Sequence, residues 1–93
     1  MKSRRRRSFR REFDHLPVDV QVQARAAYHL FMHDPFHPGL EFKRVGQRSS
    51  VWSIRIGLSF RALGIRRADQ PEDTIVWFWI GSHADYDELL RRF

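Results

Sequence analysis

Residues 52–64 read WSIRIGLSFRALG, and within them Trp52, Ile54 and Ile56, then Phe60 and Ala62, alternate with polar neighbours. A period of two places the apolar set on one face of an extended chain, so the stretch predicts two strands. The break between them at 57–59 is short enough for an antiparallel hairpin. Upstream, Leu40 and Phe42 carry the same alternation and predict a further strand, separated from the hairpin by the turn-forming residues 46–50. Downstream, a polar loop over 66–73 (RRADQPED) leads to TIVWFWI at 74–80, which is apolar at both alternating positions and reads as an interior strand covered on both faces. Four strands, mainly antiparallel, are expected.

Before Gly39 the period is helical. Val20, Ala24, Ala27, Tyr28 and Phe31 recur at spacings of three and four, which predicts an amphipathic helix from Val18 to about His33, stopped by Asp34-Pro35. A shorter helix over 9–15, with Ser8 at its N-cap, is broken from it by Leu16-Pro17. After the last strand, HADYDELLRRF fits a terminal turn or short helix. Helices first and strands second define an α+β class: two N-terminal helices on one face of a four-stranded sheet, then a short C-terminal helix or turn. Residues 1–8, with arginine at every position from 4 to 7, read as a basic arm or a short edge strand, and 9–93 as a single domain.

The 17 basic residues outnumber the 11 acidic ones, giving +6, and all but two of the basic residues are arginine. Arginine suits bidentate phosphate contact, so a polyanionic partner is expected; the lesser alternatives are a solubilising basic surface or one that matches an acidic protein. The absence of cysteine excludes disulfides and thiolate zinc sites, and points to a reducing compartment. No apolar stretch has signal-peptide or membrane-spanning length, so a cytoplasmic protein is expected.

Several residues are candidates for chemistry. Arg55 and Arg61 flank the Gly57 turn inside otherwise apolar strands; they are either solvated strand arginines or one phosphate-binding surface on neighbouring strands. His83 and Tyr86 follow the most apolar strand, where a loop held by a rigid element positions functional groups; an imidazole exchanges protons near neutral pH, and a phenol donates hydrogen bonds or stacks on a base. The bland alternative makes His83 a helix cap and Tyr86 a packing residue. Lys43, Arg44 and Arg48, on or beside the first hairpin, suit backbone phosphate contacts or simple solvation. His29, His33 and His37 have a superficially metal-like spacing but lack the glutamate of an HExxH motif, so no metal and no cofactor is expected. Trp52, Trp77, Phe78 and Trp79 suit core packing better than base stacking.

The order of short helix, Leu16-Pro17 break, long helix, the turn ending HPGL at 37–40, the strand FRALG and the closing WFWIGSHADYD resembles the RelE/ParE toxin superfamily, over about residues 9–90. The resemblance implies a curved antiparallel sheet with helices on one side, preceded by an N-terminal strand for which residues 2–7 leave little room; without it the sheet edge would be open to an antitoxin segment. It further implies a type II toxin with a neutralising antitoxin, acting either as a ribosome-associated messenger-RNA endonuclease or as a ParE-like inhibitor of gyrase. For the nuclease, Arg61 matches the strand arginine at the scissile phosphate, and His83 and Tyr86 fall where a C-terminal acid, base or stacking group lies; Arg55 and Lys43 match more loosely. No carboxylate base is evident on the inner strands. Arg61 is expected to face the surface, so that Arg61→Ala changes stability by no more than about 0.5 kcal/mol. A binding module without toxicity is a third reading.

Overall fold

The β3–β4 hairpin, Val51–Ile56 with Phe60–Arg67, is the antiparallel pair that the alternation predicts, with Ile54 opposite Ala62 and Arg55 opposite Arg61. Its turn depends on Gly57, whose φ of 58° lies in the left-handed region that glycine enters without a Cβ penalty. The structure, a computed structural model, describes residues 1–46, 49–69 and 71–92. Around the hairpin the chain runs β1 (Lys2–Arg5), α1 (Arg7–Asp14), α2 (Val18–His33), a 3-10 turn (Pro38–Leu40), β2 (Lys43–Arg44), β3, β4, β5 (Thr74–Ser82) and α3 (His83–Leu90).

The sheet has five strands rather than four, in the order β1-β5-β4-β3-β2. The additional strand is the arginine-rich N-terminus, which pairs parallel to β5 with Lys2 opposite Thr74 and Arg5 opposite Trp77. The like charges are tolerated because only one edge of the strand is paired and Arg4 and Arg5 are exposed, while Ser3 turns inward and its Oγ accepts a hydrogen bond from Trp77 Nε1 at 3.1 Å. This strand closes the β5 edge that would otherwise stand open, leaving β2 at the other end of the sheet.

α1 and α2 cover one face, where Phe31, Ile54, Ile56, Ala62, Ile75, Trp77 and Ile80 form the buried core. Phe31 and Trp77 meet edge to face with ring centroids 5.4 Å apart, a favoured aromatic geometry. The core set in β5 changes parity, from Ile75 and Trp77 to Ile80, because the ladder to β4 steps from Gly64↔Trp77 to Leu63↔Trp79 and leaves Phe78 as an extra, bulged residue. Beyond the bulge every side chain changes face, so Trp79 looks away from α1 and α2.

Two boundaries differ from the sequence expectation. Ser8 is not the cap of α1, which starts at Arg7 with no side-chain cap; its Oγ instead donates to the carbonyl of bulged Phe78 at 2.9 Å. Leu40 is not in a strand: Pro38-Gly39 starts the 3-10 turn, Leu40 drops into the core, and Glu41 leaves it with a φ of 45° before β2 begins.

Candidate functional site

The face turned away from α1 and α2 carries a transverse row of residues. Antiparallel register sets Arg55 opposite Arg61, and Arg61 opposite Gly81. Pairing of Lys43 with Ser53 brings Glu41 alongside Arg55 at the β2 end of the row. The contacts bear this out: Glu41 Oε2 lies 3.3 Å from Arg55 Nη1 and 3.5 Å from Arg61 Nη2. One carboxylate oxygen thus serves two guanidinium groups, and the trio carries a net positive charge.

The two arginines are not equivalent. Arg55 is partly exposed, its side chain at 37%, and is aimed by a 2.9 Å hydrogen bond from Nε to the carbonyl of Gly57. Arg61 is buried, its side chain at only 8% exposure, which corrects the expectation of a surface-facing strand arginine. Its burial follows from what lies over it: α3 lays Tyr86 across the row, with the Arg61 guanidinium carbon 5.4 Å from the ring centroid. Opposite Arg61, Gly81 makes room for the Trp79 ring, which a Cβ there would approach to 2.6 Å. Arg61 Nε and Nη1 have no hydrogen-bond partner among the described residues, and neither does buried Ser53 Oγ. Buried charged donors left unpaired are costly to a fold and call for an explanation.

Ser82 caps α3 by accepting the Asp85 N–H, so His83 is the first residue of the helix rather than its cap. The exposed His83 ring is 5.9 Å from Tyr86, and its Nδ1 is 3.2 Å from Asp87 Oδ2. Glu41, Arg55, Arg61, Tyr86 and His83 therefore form one contiguous chain of contacts. Four of these five are sequence candidates; Glu41 is the residue that sequence reading missed. Its signal was present, as the only acidic residue between Asp34 and Asp69. In the alternation of Leu40 and Phe42, however, it reads only as a solvated polar neighbour, and its left-handed backbone, which aims it, leaves no mark on that pattern.

The basic candidates on β2 divide. Lys43 shares the face of the row, whereas Arg44, opposite Trp52, faces the other way with its guanidinium 5.7 Å from that ring; both are exposed. Arg48 lies outside the described residues. His33 Nδ1 lies 2.8 Å from the His29 carbonyl and His37 Nδ1 accepts the Gly39 N–H, so these histidines are engaged by backbone. Trp52 and Trp77 pack in or against the core, as read from the sequence.

The fold has a counterpart among solved structures. The "YoeB/ParE toxin from Agrobacterium tumefaciens" superposes with a TM-score of 0.66 over 89% of this chain and 99% of that one, at 14% sequence identity. That likeness establishes a shared fold. Residues 18–88 match the family described as the ParE-like toxin domain, and the chain belongs to that family. No curated protein matches the sequence. No helix among the described residues is long and apolar enough to cross a membrane.

Proposed function

We propose that this chain is the toxin of a type II toxin–antitoxin pair that cleaves messenger RNA in the cytoplasm, on the ribosome, at the row formed by Glu41, Arg55 and Arg61. The observation carrying this reading is Glu41: the carboxylate that the inner strands lack in sequence stands against both arginines, in contact range of a chain ending in Tyr86 and His83. The groups required to cleave RNA through its own ribose are then all present. The ribose 2′-hydroxyl attacks the adjacent phosphorus while Glu41 takes its proton. The bond from phosphorus to the 5′-oxygen breaks, and His83 supplies the proton to the departing oxygen, leaving a 2′,3′-cyclic phosphate. Half-exposed Arg55 meets the charge building on the phosphoryl oxygens. Arg61, held beneath Tyr86, positions Glu41 and adds its field from behind. The chemistry calls on no metal or cofactor, so EDTA is expected to leave cleavage unchanged.

Membership of the toxin family implies an antitoxin partner, whose co-expression is expected to relieve growth arrest. With β1 covering one sheet edge, strand addition by that partner would fall on the β2 edge, beside Lys43 and the site.

One observation favours a second reading, non-catalytic inhibition of DNA gyrase. Arg61 is buried and ion-paired, as a structural arginine would be, which keeps it from reaching a substrate directly. Incubating the purified protein with translating ribosomes, and separately with gyrase and relaxed plasmid, distinguishes the two. Codon-positioned cuts in the message support the nuclease; intact message with blocked supercoiling discards it.

A further inference from the structure

The positive charge of this molecule is not spread over it. Residues 1–11 hold seven basic side chains and no acidic one, whereas residues 12–93 hold ten basic against eleven acidic, so the whole net charge of +6 resides in β1 and the first half of α1. Arg4, Arg5, Arg6, Arg7, Arg10 and Arg11 are all exposed.

Arg5 lies over the Tyr28 ring, 5.4 Å from its centroid; the helix gives no such account of Arg7, Arg10 and Arg11. On α1, Arg7, Arg10 and Arg11 recur at spacings of three and four and form an outward stripe, opposite Phe9 and Phe13, which pack against the core. Like charges at these spacings repel. Arg7 also opens the helix, at the positive end of its dipole, where α1 has no acidic residue in its first turn and no side-chain cap; Arg11, in the last turn, is the one of the three that the dipole favours. Fold stability alone would favour aspartate or serine at position 7.

We infer that β1 and α1 form a second binding surface, separate from the Glu41–Arg55–Arg61 row, that grips the phosphate backbone of duplex nucleic acid without reading its sequence. The only aromatic among residues 2–11, Phe9, is turned to the core, so the surface has no platform for stacking on unpaired bases. Guanidinium groups alone position a protein on phosphates but do not specify bases. The surface lies at the β1 edge, at the far end of the sheet from β2. Its role would be to hold the protein on a structured nucleic acid while the row works on, or waits for, its own target; it does not depend on cleavage.

The test is fluorescence anisotropy with a mixed-sequence 20-base-pair RNA duplex and the DNA duplex of the same sequence, titrated from about 50 to 200 mM salt. Wild-type protein is expected to bind both within a few-fold, with a steep linear dependence of log affinity on log salt. The triple variant R7Q/R10Q/R11Q is expected to fold with an undiminished Tm, because it removes repulsion. Its affinity near 0.1 M salt should fall at least about tenfold, with a slope shallower by roughly 2.7 for three lost phosphate contacts. R91Q/R92Q, which removes exposed charge at the other end of the chain, is the control and should bind nearly as wild type. An unchanged slope in the folded triple variant overturns the proposal, as does an equal loss in R91Q/R92Q. Displacement of the duplex by polyglutamate at equal charge concentration would assign the surface to acidic proteins instead and sink it as well. Because neither duplex has to be cut, loss of the nuclease reading would leave these outcomes unaffected.

Discussion

Strand β4 carries two partly or fully buried arginines on opposite faces, and they are treated very differently. Arg66, on the helix-covered side, is fully engaged: its Nε and Nη2 donate to both carboxylate oxygens of Asp73 at 3.1 and 2.7 Å, and its guanidinium lies 4.6 Å from the Trp52 ring centroid with Phe36 and Phe42 nearby. Arg61, five residues earlier, shares one carboxylate oxygen with Arg55 and leaves two N–H-bearing nitrogens without partners among the described residues. A bidentate, stacked arginine is what a fold makes when stability is the purpose. A buried arginine held short of its hydrogen-bonding capacity carries a cost that stability does not explain. The contrast sets a fully paired arginine beside an under-paired one within a single strand.

Several measurements sharpen or break that contrast. The largest effect is expected at the exposed members of the row. Glu41→Gln and Arg55→Ala should each lower RNA cleavage by about 10²- to 10³-fold, with the fold intact. Undiminished cleavage in both would remove the row from the chemistry. Arg66→Ala should do the reverse, losing about 1.5–3 kcal/mol of stability while cleavage per folded molecule holds. A loss of activity there without loss of Tm would erase the distinction.

Arg61→Ala sits between the two. It should cost about 1–3 kcal/mol, well above the 0.5 kcal/mol of a surface arginine, since it uncovers Tyr86 and strips Glu41 of one partner. Arg61→Lys should restore much of the stability without restoring activity, because an ammonium cannot present the planar guanidinium that lies under Tyr86 with Nη2 against Glu41.

Acid titration tests the other member of the comparison. The hydrogen bonds from Arg66 hold the Asp73 carboxyl below the usual carboxylate range. Because the folded state favours the ionised form, this stabilisation is complete above the unfolded-state pKa and is lost as pH falls through the lower, folded value. Asp73→Asn should therefore flatten the decline in Tm that the wild type shows from about pH 4 downwards. An unaltered acid limb would show that other carboxylates govern it. The smallest effect is expected from Ser8→Ala, which removes the bond to the Phe78 carbonyl at about 0.5–1.5 kcal/mol by thermal melting.

These features were unequally legible in the sequence. α2 and the β3–β4 hairpin could be read because a single apolar face leaves a clear period, 3.6 in one and two in the other. The β5 bulge could not: residues 75–80 (IVWFWI) are apolar at every position, so the pattern carries no record of which residue steps out of register. β1 was legible only as one of two readings, a basic arm or a short edge strand, because its arginines follow no strand pattern and are ordered by a ladder to a strand far along the chain. Arg55, Arg61, His83 and Tyr86 could be singled out as charged or polar groups in apolar surroundings. The burial of Arg61 and the arrival of Glu41 could not, because the first depends on where α3 lies and the second on one left-handed residue after a 3-10 turn.

The parallel pairing of β1 with β5 also bears on when this molecule can become whole. Thr74 follows its partner Lys2 by 72 positions. During translation at about 5–20 residues per second, the first strand waits several seconds for its neighbour to exist. Until then the start of α1 has no strand to hang from, and the Phe78 carbonyl that receives Ser8 has not been made. The row is incomplete over the same interval, since Gly81, His83 and Tyr86 come later still. The first strand and the row are thus completed together, once β5 and α3 have been made.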